Sequence, residues 1–274
     1  MPLSLLYVEG SLDVILMAGV ASTLSEGAPS VVSGGSKGAL RPRVMEARNK
    51  PQPIEACYLR DRDFDTDPPG TLNVPTADKN AQGDVIGWRW CRHEIENYLL
   101  EPRIVAQATG WNEADFIRSL LAAARALRSY TAARWAVGTA RRSLPPLYEL
   151  CTRPESLKNE IKVPGDLSEQ ACRRWITEYV GDFHSKVALQ LADTALASTF
   201  EHWSRRLDRV STPQEALLDH SGKDLLAALE PEIAQRPLNN PIVFRNAIRD
   251  WIVANPALAL AHLPEWAALL RGFA

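Results

Sequence analysis

Apolar residues follow two different rhythms along the chain, and the change comes near residue 102. Before it, short β-like runs alternate with helical or loop stretches: LSLLYV (3–8), PSVV (29–32), EACYL (55–59) and VIGWRWC (85–91). Runs of this length, separated by stretches long enough for helices, predict an α/β fold. SLDVILMAGVASTLS (11–25) reads as the first helix with Ser11 as its N-cap. Its apolar residues occupy nearly all faces, so it is expected between a sheet and a further layer. The glycines of SGGSKG (33–38) follow the second strand, and residues 66–84, with Pro68, Pro69, Gly70, Pro75 and Gly83, read as a polar surface loop. After Pro102 the strand signals almost vanish. Residues 113–144, 169–180, 184–210 and 223–235 are rich in Ala, Leu and Arg and predict helices. The expectation is an α/β domain over residues 1–102 followed by a mainly helical domain over 103–274, without internal repeats.

Charge adds little at the level of the whole chain. With 31 basic and 33 acidic side chains the net charge is −2, so any nucleic-acid surface must be local. Cys57, Cys91, Cys151 and Cys172 form no CxxC pair, which disfavours a zinc site or a disulfide framework. His93, His184, His202, His220 and His262 show no metal or triad spacing. MPLSLLYVEG has no basic leader and meets Glu9 after a very short apolar run, so neither a signal peptide nor a membrane span is expected, and the location expected is cytoplasmic.

The chemistry gathers around acidic residues. YLRDRDFDTD (58–67) places Asp61, Asp63, Asp65 and Asp67 at alternate positions directly after an apolar run. Carboxylates this close repel and raise one another's pKa unless water or a cation absorbs the charge. In a parallel sheet, functional groups collect beyond the carboxyl ends of strands. Glu9 and Asp13 follow the first strand, Asp61 and Asp63 a later one, and Glu94 and Glu96 lie in RHEIENYLLEP just after the aromatic run. Asp61 and Asp63, two apart on an extended strand, would point the same way. Hard oxygen donors without histidine or thiolate favour Mg²⁺ or Mn²⁺ over zinc. An EF-hand fails: counted from Asp61, the sixth and twelfth positions are Thr66 and Leu72, and from Asp63 they are Pro68 and Val74. An alternating aspartate run is also common as a solvated turn.

Taken in order, YVEGSLD, LRDRD and HEIENYLLEP resemble the TOPRIM domain shared by topoisomerases, DnaG-type primases and the overcoming-lysogenisation-defect (OLD) nucleases. The EIENYLL ending is most similar to the last group and to its stand-alone relatives in phage defence, including the nuclease partner of the ABC-type ATPase in PARIS systems. The resemblance covers roughly residues 4–102. It implies a Rossmann-like, mainly parallel sheet and a metal set of Glu9, Asp13, Asp61, Asp63 and Glu96. It also implies two Mg²⁺ or Mn²⁺ ions that clamp a scissile phosphate, and an ATPase partner. Glu9, Asp61, Asp63 and Glu96 would be catalytic; Lys37 of SGGSKG, also counted as catalytic, either approaches the phosphate oxygens or is a solvated lysine in a glycine-rich loop. No Walker A sequence is present, since GGSKG does not meet GxxxxGK[ST].

Substrate holding is expected outside this region. Arg118, Arg125, Arg128, Arg134, Arg141 and Arg142 follow one another with no intervening acid, and Arg118, Arg125 and Arg128 share one helix face. That face either contacts phosphates of DNA or RNA, tRNA included, or is an ordinary solvated or salt-bridged surface. Trp135, Trp175, Trp203, Trp251 and Trp266 read more readily as core than as stacking platforms. Lys223 in SGKDLL stands at an apparent helix start that either meets a phosphate or is simply a turn. Three functions fit: a metal-dependent nuclease, a non-catalytic docking or sensor module, and a primase-like polymerase. The missing zinc and nucleotide motifs disfavour the last, and a homo-oligomer is left open.

Overall fold

The apolar runs before residue 102 become parallel strands of one sheet in the computed structural model, which describes residues 2–25, 27–146, 166 and 168–273. The chain runs through β1 (Leu5–Val8), α1 (Ser11–Ala21), β2 (Ser30–Ser33), α2 (Lys37–Arg48), β3 (Ala56–Arg60), β4 (Thr76–Lys79) and β5 (Val85–Arg89). Sheet order is β2-β1-β3-β5-β4, with β4 alone antiparallel. The α/β expectation holds at this level. β3 lies at the centre and its first four residues are buried, as a parallel strand covered on both faces requires.

β4 corrects the reading of residues 66–84 as loop throughout. Its sequence TADK carries no apolar signature because it is an edge strand, held by the ladder to β5 and by a turn in which Asn80 Oδ1 accepts from the N–H groups of Gln82 and Asp84. The start of α1 is also one residue off: Gly10 is the N-cap, and its N–H donates to Asp13 Oδ2 at 3.2 Å. α2 covers one face of the sheet, where Leu40 and Val44 pack with Tyr58 and Ile86. The Tyr58 ring lies across Gly87 on the neighbouring strand so closely that a Cβ there would stand 2.4 Å from a ring atom. α1 packs against β2 and a late helix, giving the buried position expected for it.

The remaining described elements are helical: α3 (Glu96–Leu99), α4 (Pro102–Thr109), α5 (Glu113–Ser143), α6 (Glu169–Gln190), α7 (Asp193–Leu207), α8 (Pro213–Asp219), α9 (Gly222–Ala228), α10 (Glu230–Ile233), α11 (Pro241–Ala254), α12 (Pro256–His262) and α13 (Pro264–Arg271). The stretch 184–210 is interrupted between Gln190 and Asp193, so α6 and α7 are separate helices.

Compactness divides the chain differently from a boundary at 102. Met1–Thr131 and Arg206–Ala274 form one unit, and Ala132–Arg205 a second. The physical reason is that late helices complete the core of the sheet unit. α11 packs on α1 and α4. Trp266 of α13 stacks on Trp90 with centroids 5.9 Å apart, and Glu265 accepts from Cys91 N at 2.7 Å and from the Tyr98 hydroxyl at 2.5 Å. In the second unit Trp135 and Trp203 stack face to face at 3.9 Å. Trp135, Trp203 and Trp266 are therefore core, while Trp251 is half-buried. Cys57 and Cys91 are buried and Cys172 is exposed. Cys151 and the side chain of Trp175 lie outside the described residues. No described helix is long and apolar enough to cross a membrane.

Candidate metal centre

Three parallel strands deliver acids to one end of the sheet. Glu9 directly follows β1, Asp61 directly follows β3, Glu94 comes from the segment after β5, and Glu96 opens α3. One ligand oxygen from each of Asp61, Asp63 and Glu94 lies within 4.8 Å of the other two, which makes these a candidate cation-holding group. Glu94, left open by the sequence, thus joins Asp61 and Asp63.

The two aspartates do not converge through strand alternation. β3 ends at Arg60, and Asp63 takes a left-handed backbone with φ 47°, uncommon for a residue with a side chain. A turn therefore brings them together. Its N–H donates to His93 O at 2.9 Å, tying the aspartate turn to the segment that carries Glu94. Arg62 between them points elsewhere: the residue is 1 % exposed and its guanidinium donates to the carbonyls of Cys91 (2.7 Å), Thr66 (3.0 Å) and Leu218 (2.5 Å). A buried cation that satisfies three carbonyls fixes the turn on which both aspartates sit.

Glu9, Asp13 and Glu96 surround that group. Glu9 Oε1 accepts from Asp61 N at 2.9 Å, so β1 and β3 are joined at the site itself. Asp61 Oδ1 is buried with no hydrogen-bond partner. Burial, reinforced by Asp13, Glu9, Asp63 and Glu94, holds the Asp61 carboxyl well above the usual range. Asp13 is pushed up to about 7, chiefly by burial and then by the charge of Glu96. Burial also raises Glu9, against the Asp61 hydrogen bond, and raises Glu96, helped by Glu94. These acids carry a desolvation and repulsion cost that a divalent cation would relieve.

Two lysines already stand among them. Lys37, the first residue of α2, contacts Asp63 at 2.5 Å and Asp65 at 2.8 Å. Burial opposes its charge, but those carboxylates outweigh it and raise its pKa. Lys37 is thus at the site, engaged by carboxylates. Lys223 pairs with the glutamates instead: its ammonium is 2.6 Å from Glu94 Oε2 and 3.4 Å from Glu96 Oε2. Glu94 Oε1 accepts from Ser221 Oγ and from Lys223 N, both at 2.7 Å.

Lys223 arrives because α9 is pressed against α3. Ser221 caps α9 by accepting from Asp224 N, and Gly222 N donates to Asn97 Oδ1 at 3.1 Å. A Cβ on Gly222 would lie 2.5 Å from Asn97 N, so only glycine allows this approach. Asn97 Nδ2 donates to the carbonyls of Leu217 and His220, and His93 Nε2 bonds Asp219 O. SGKDLL had signalled a helix start; its meeting with EIEN, 125 to 129 residues earlier, had no local sign.

The arginine face of α5 is partly neutralised. Arg118, Arg125 and Arg128 are exposed, but Arg118 pairs with Asp115 and Arg128 with Asp208. No protein-family model matches the chain, and no curated protein matches it.

Proposed function

We propose that the protein is a divalent-metal-dependent TOPRIM-type nuclease that hydrolyses phosphodiester bonds of nucleic acid. The observation that carries this reading is the grouping of Asp61, Asp63 and Glu94 within 4.8 Å, beside a buried Asp61 oxygen without a partner. The donor set is all carboxylate oxygen, which suits Mg²⁺ or Mn²⁺. Asp61, Asp63 and Glu94 would hold an ion, with Glu9, Asp13 and Glu96 as the surrounding acids. When bound, such ions would supply Lewis acidity at the phosphate and a lowered pKa for an attacking water. The chain's own part is positioning. Arg62 and Asn97 hold the ligand-bearing turns, Glu9 fixes the Asp61 backbone, and Lys37 beside the aspartates and Lys223 beside the glutamates provide positive charge for a phosphate. The resemblance to OLD-type nucleases extends the proposal to an effector of phage defence controlled by an ABC-type ATPase.

A second reading rests on the lysines. Lys37 and Lys223 give Asp63, Asp65 and Glu94 cationic partners without any metal, as a retained docking or sensor module would have. One titration separates the two. For the nuclease, Mg²⁺ or Mn²⁺ at a hundredfold excess over Kd stabilises by about 2.7 kcal/mol. Asp61→Asn abolishes that response, and cleavage of labelled DNA or RNA requires both the metal and Asp61. An unchanged melting temperature across the metal series, with no cleavage, supports the docking module instead.

A further inference from the structure

Of the α5 arginines Arg118, Arg125 and Arg128, two pair with acids, Arg118 with Asp115 and Arg128 with Asp208. A second basic group lies on the α2 face of the sheet. β3 and β5 are paired so that Arg60 stands beside Arg89 and Tyr58 beside Gly87. β4 continues the row by placing Asp78 opposite Gly87. All three side chains converge on that aspartate: Arg60 Nε donates at 2.8 Å, Arg89 at 3.2 Å and the Tyr58 hydroxyl at 2.9 Å. One carboxylate therefore serves two guanidiniums, and Arg89 Nε keeps no hydrogen-bond partner.

Arg41 enlarges the excess. It is exposed, has no hydrogen bond or ion pair among the described residues, and its charge acts on the Tyr58 phenol. On α2 it lies one turn after Lys37, the lysine of the acidic site, so the two share a helix face. Arg60 is covalently next to Asp61. Arg89 and Arg60 are thus neighbours on the sheet, Arg60 and Arg41 both act on Tyr58, and Arg41 shares a face of α2 with Lys37 at the carboxylate group; these four form one row.

We infer that this row is the phosphate-backbone track of the protein, holding the nucleic-acid strand that enters the acidic site. The inference rests on the nuclease reading above and adds where the substrate lies. Four cations against the single carboxylate of Asp78 on the sheet face, without base-reading groups, fit contact with phosphates rather than with base edges. Asp78 holds Arg60 and Arg89 in fixed orientation, which keeps both guanidiniums on this face of the sheet. Arg41 contributes the unpaired charge.

The deciding experiment compares Arg41→Gln and Arg41→Glu with the wild type and with the triple variant Arg118→Gln, Arg125→Gln, Arg128→Gln. Binding of a labelled RNA hairpin and a labelled single-stranded DNA is measured over a salt series, with and without Mg²⁺, and melting temperature verifies folding. Arg41→Gln is expected to lower the slope of log K against log salt by about 0.7–0.9, the loss of one phosphate contact. Arg41→Glu is expected to weaken binding further while leaving the metal-induced rise in melting temperature intact. Wild-type affinity and salt slope in Arg41→Glu overturn the inference, whatever the triple variant does. A wild-type chain that takes up metal but binds neither nucleic acid removes the nuclease reading and this inference together, whereas a loss confined to the triple variant removes only the inference.

Discussion

Asp13 makes the metal-free protein sensitive to pH in a direction opposite to that of an ordinary salt-bridged carboxylate. Its carboxyl is raised from 3.8 to about 7, first by burial and then by Glu96. The folded state therefore keeps a proton that the unfolded chain releases from about pH 4 upward. Below that range both states are protonated and nothing is lost. As pH rises towards 7 the folded state falls progressively behind, and above 7 the full penalty stands. A rise of this size is worth ~4 kcal/mol at about 1.4 kcal/mol for each tenfold. For domains of about 150–250 residues that corresponds to a fall in melting temperature on the order of 10 °C. Asp61 acts in the same direction. The assay is calorimetry in chelator from pH 4 to 8 on wild type and Asp13→Asn, whose amide oxygen can still accept from Gly10 N. The wild type is expected to lose stability relative to the variant across that window, and saturating Mn²⁺ to restore most of it. A difference between the two proteins that is flat with pH, or that grows in favour of the wild type, would refute the reasoning.

Other perturbations test the supports of the site. Gly222→Ala drives a Cβ into the Asn97 backbone and is expected to cost about 1–3 kcal/mol by overpacking and to weaken metal binding, read by melting and by Mn²⁺ titration. Arg62→Met strands the carbonyls of Cys91, Thr66 and Leu218, at about 1–3 kcal/mol for each group left buried and unpaired, and denaturant unfolding measures the loss. Lys223→Met leaves Glu94 without its ammonium; it is expected to reduce cleavage while metal binding tightens, because a competing cation is gone, and parallel titration and cleavage assays check both. Arg118→Gln, Arg125→Gln and Arg128→Gln together are expected to change stability by less than about 1 kcal/mol, since exposed pairs contribute little, as melting will show.

What was legible in the sequence was local. LSLLYV, PSVV, EACYL and VIGWRWC announced β1, β2, β3 and β5 by their apolar, β-branched or aromatic runs, which for the central β3 reflect burial on both faces. TADK did not announce β4, since an edge strand is specified by its partner and turn rather than by its own hydrophobicity. The acids were visible as a composition anomaly, but their grouping was not. A left-handed turn at Asp63 and the bond from Asp63 N to His93 O bring Glu94 to the aspartates, and neither has a periodic signature. The closing of the site by Ser221, Gly222 and Lys223 was hidden for a similar reason. Those residues meet Glu94 and Asn97 across separations of 125 to 129 positions, which no window of the chain spans.

That separation has a consequence for the order in which the protein is made. Chains emerge from the ribosome N-terminus first, so Glu9, Asp61 and Glu94 are all synthesised before Ala132–Arg205, and Lys223 only after it. A nascent chain thus holds every acid of the site without the lysine that pairs with Glu94, and without the carbonyls of Leu217 and His220 that orient Asn97. The inserted unit acts as a built-in delay: the chemistry-bearing carboxylates cannot be locked in place until translation has passed it. A chain stopped anywhere within Ala132–Arg205 would carry all the acids and no finished site.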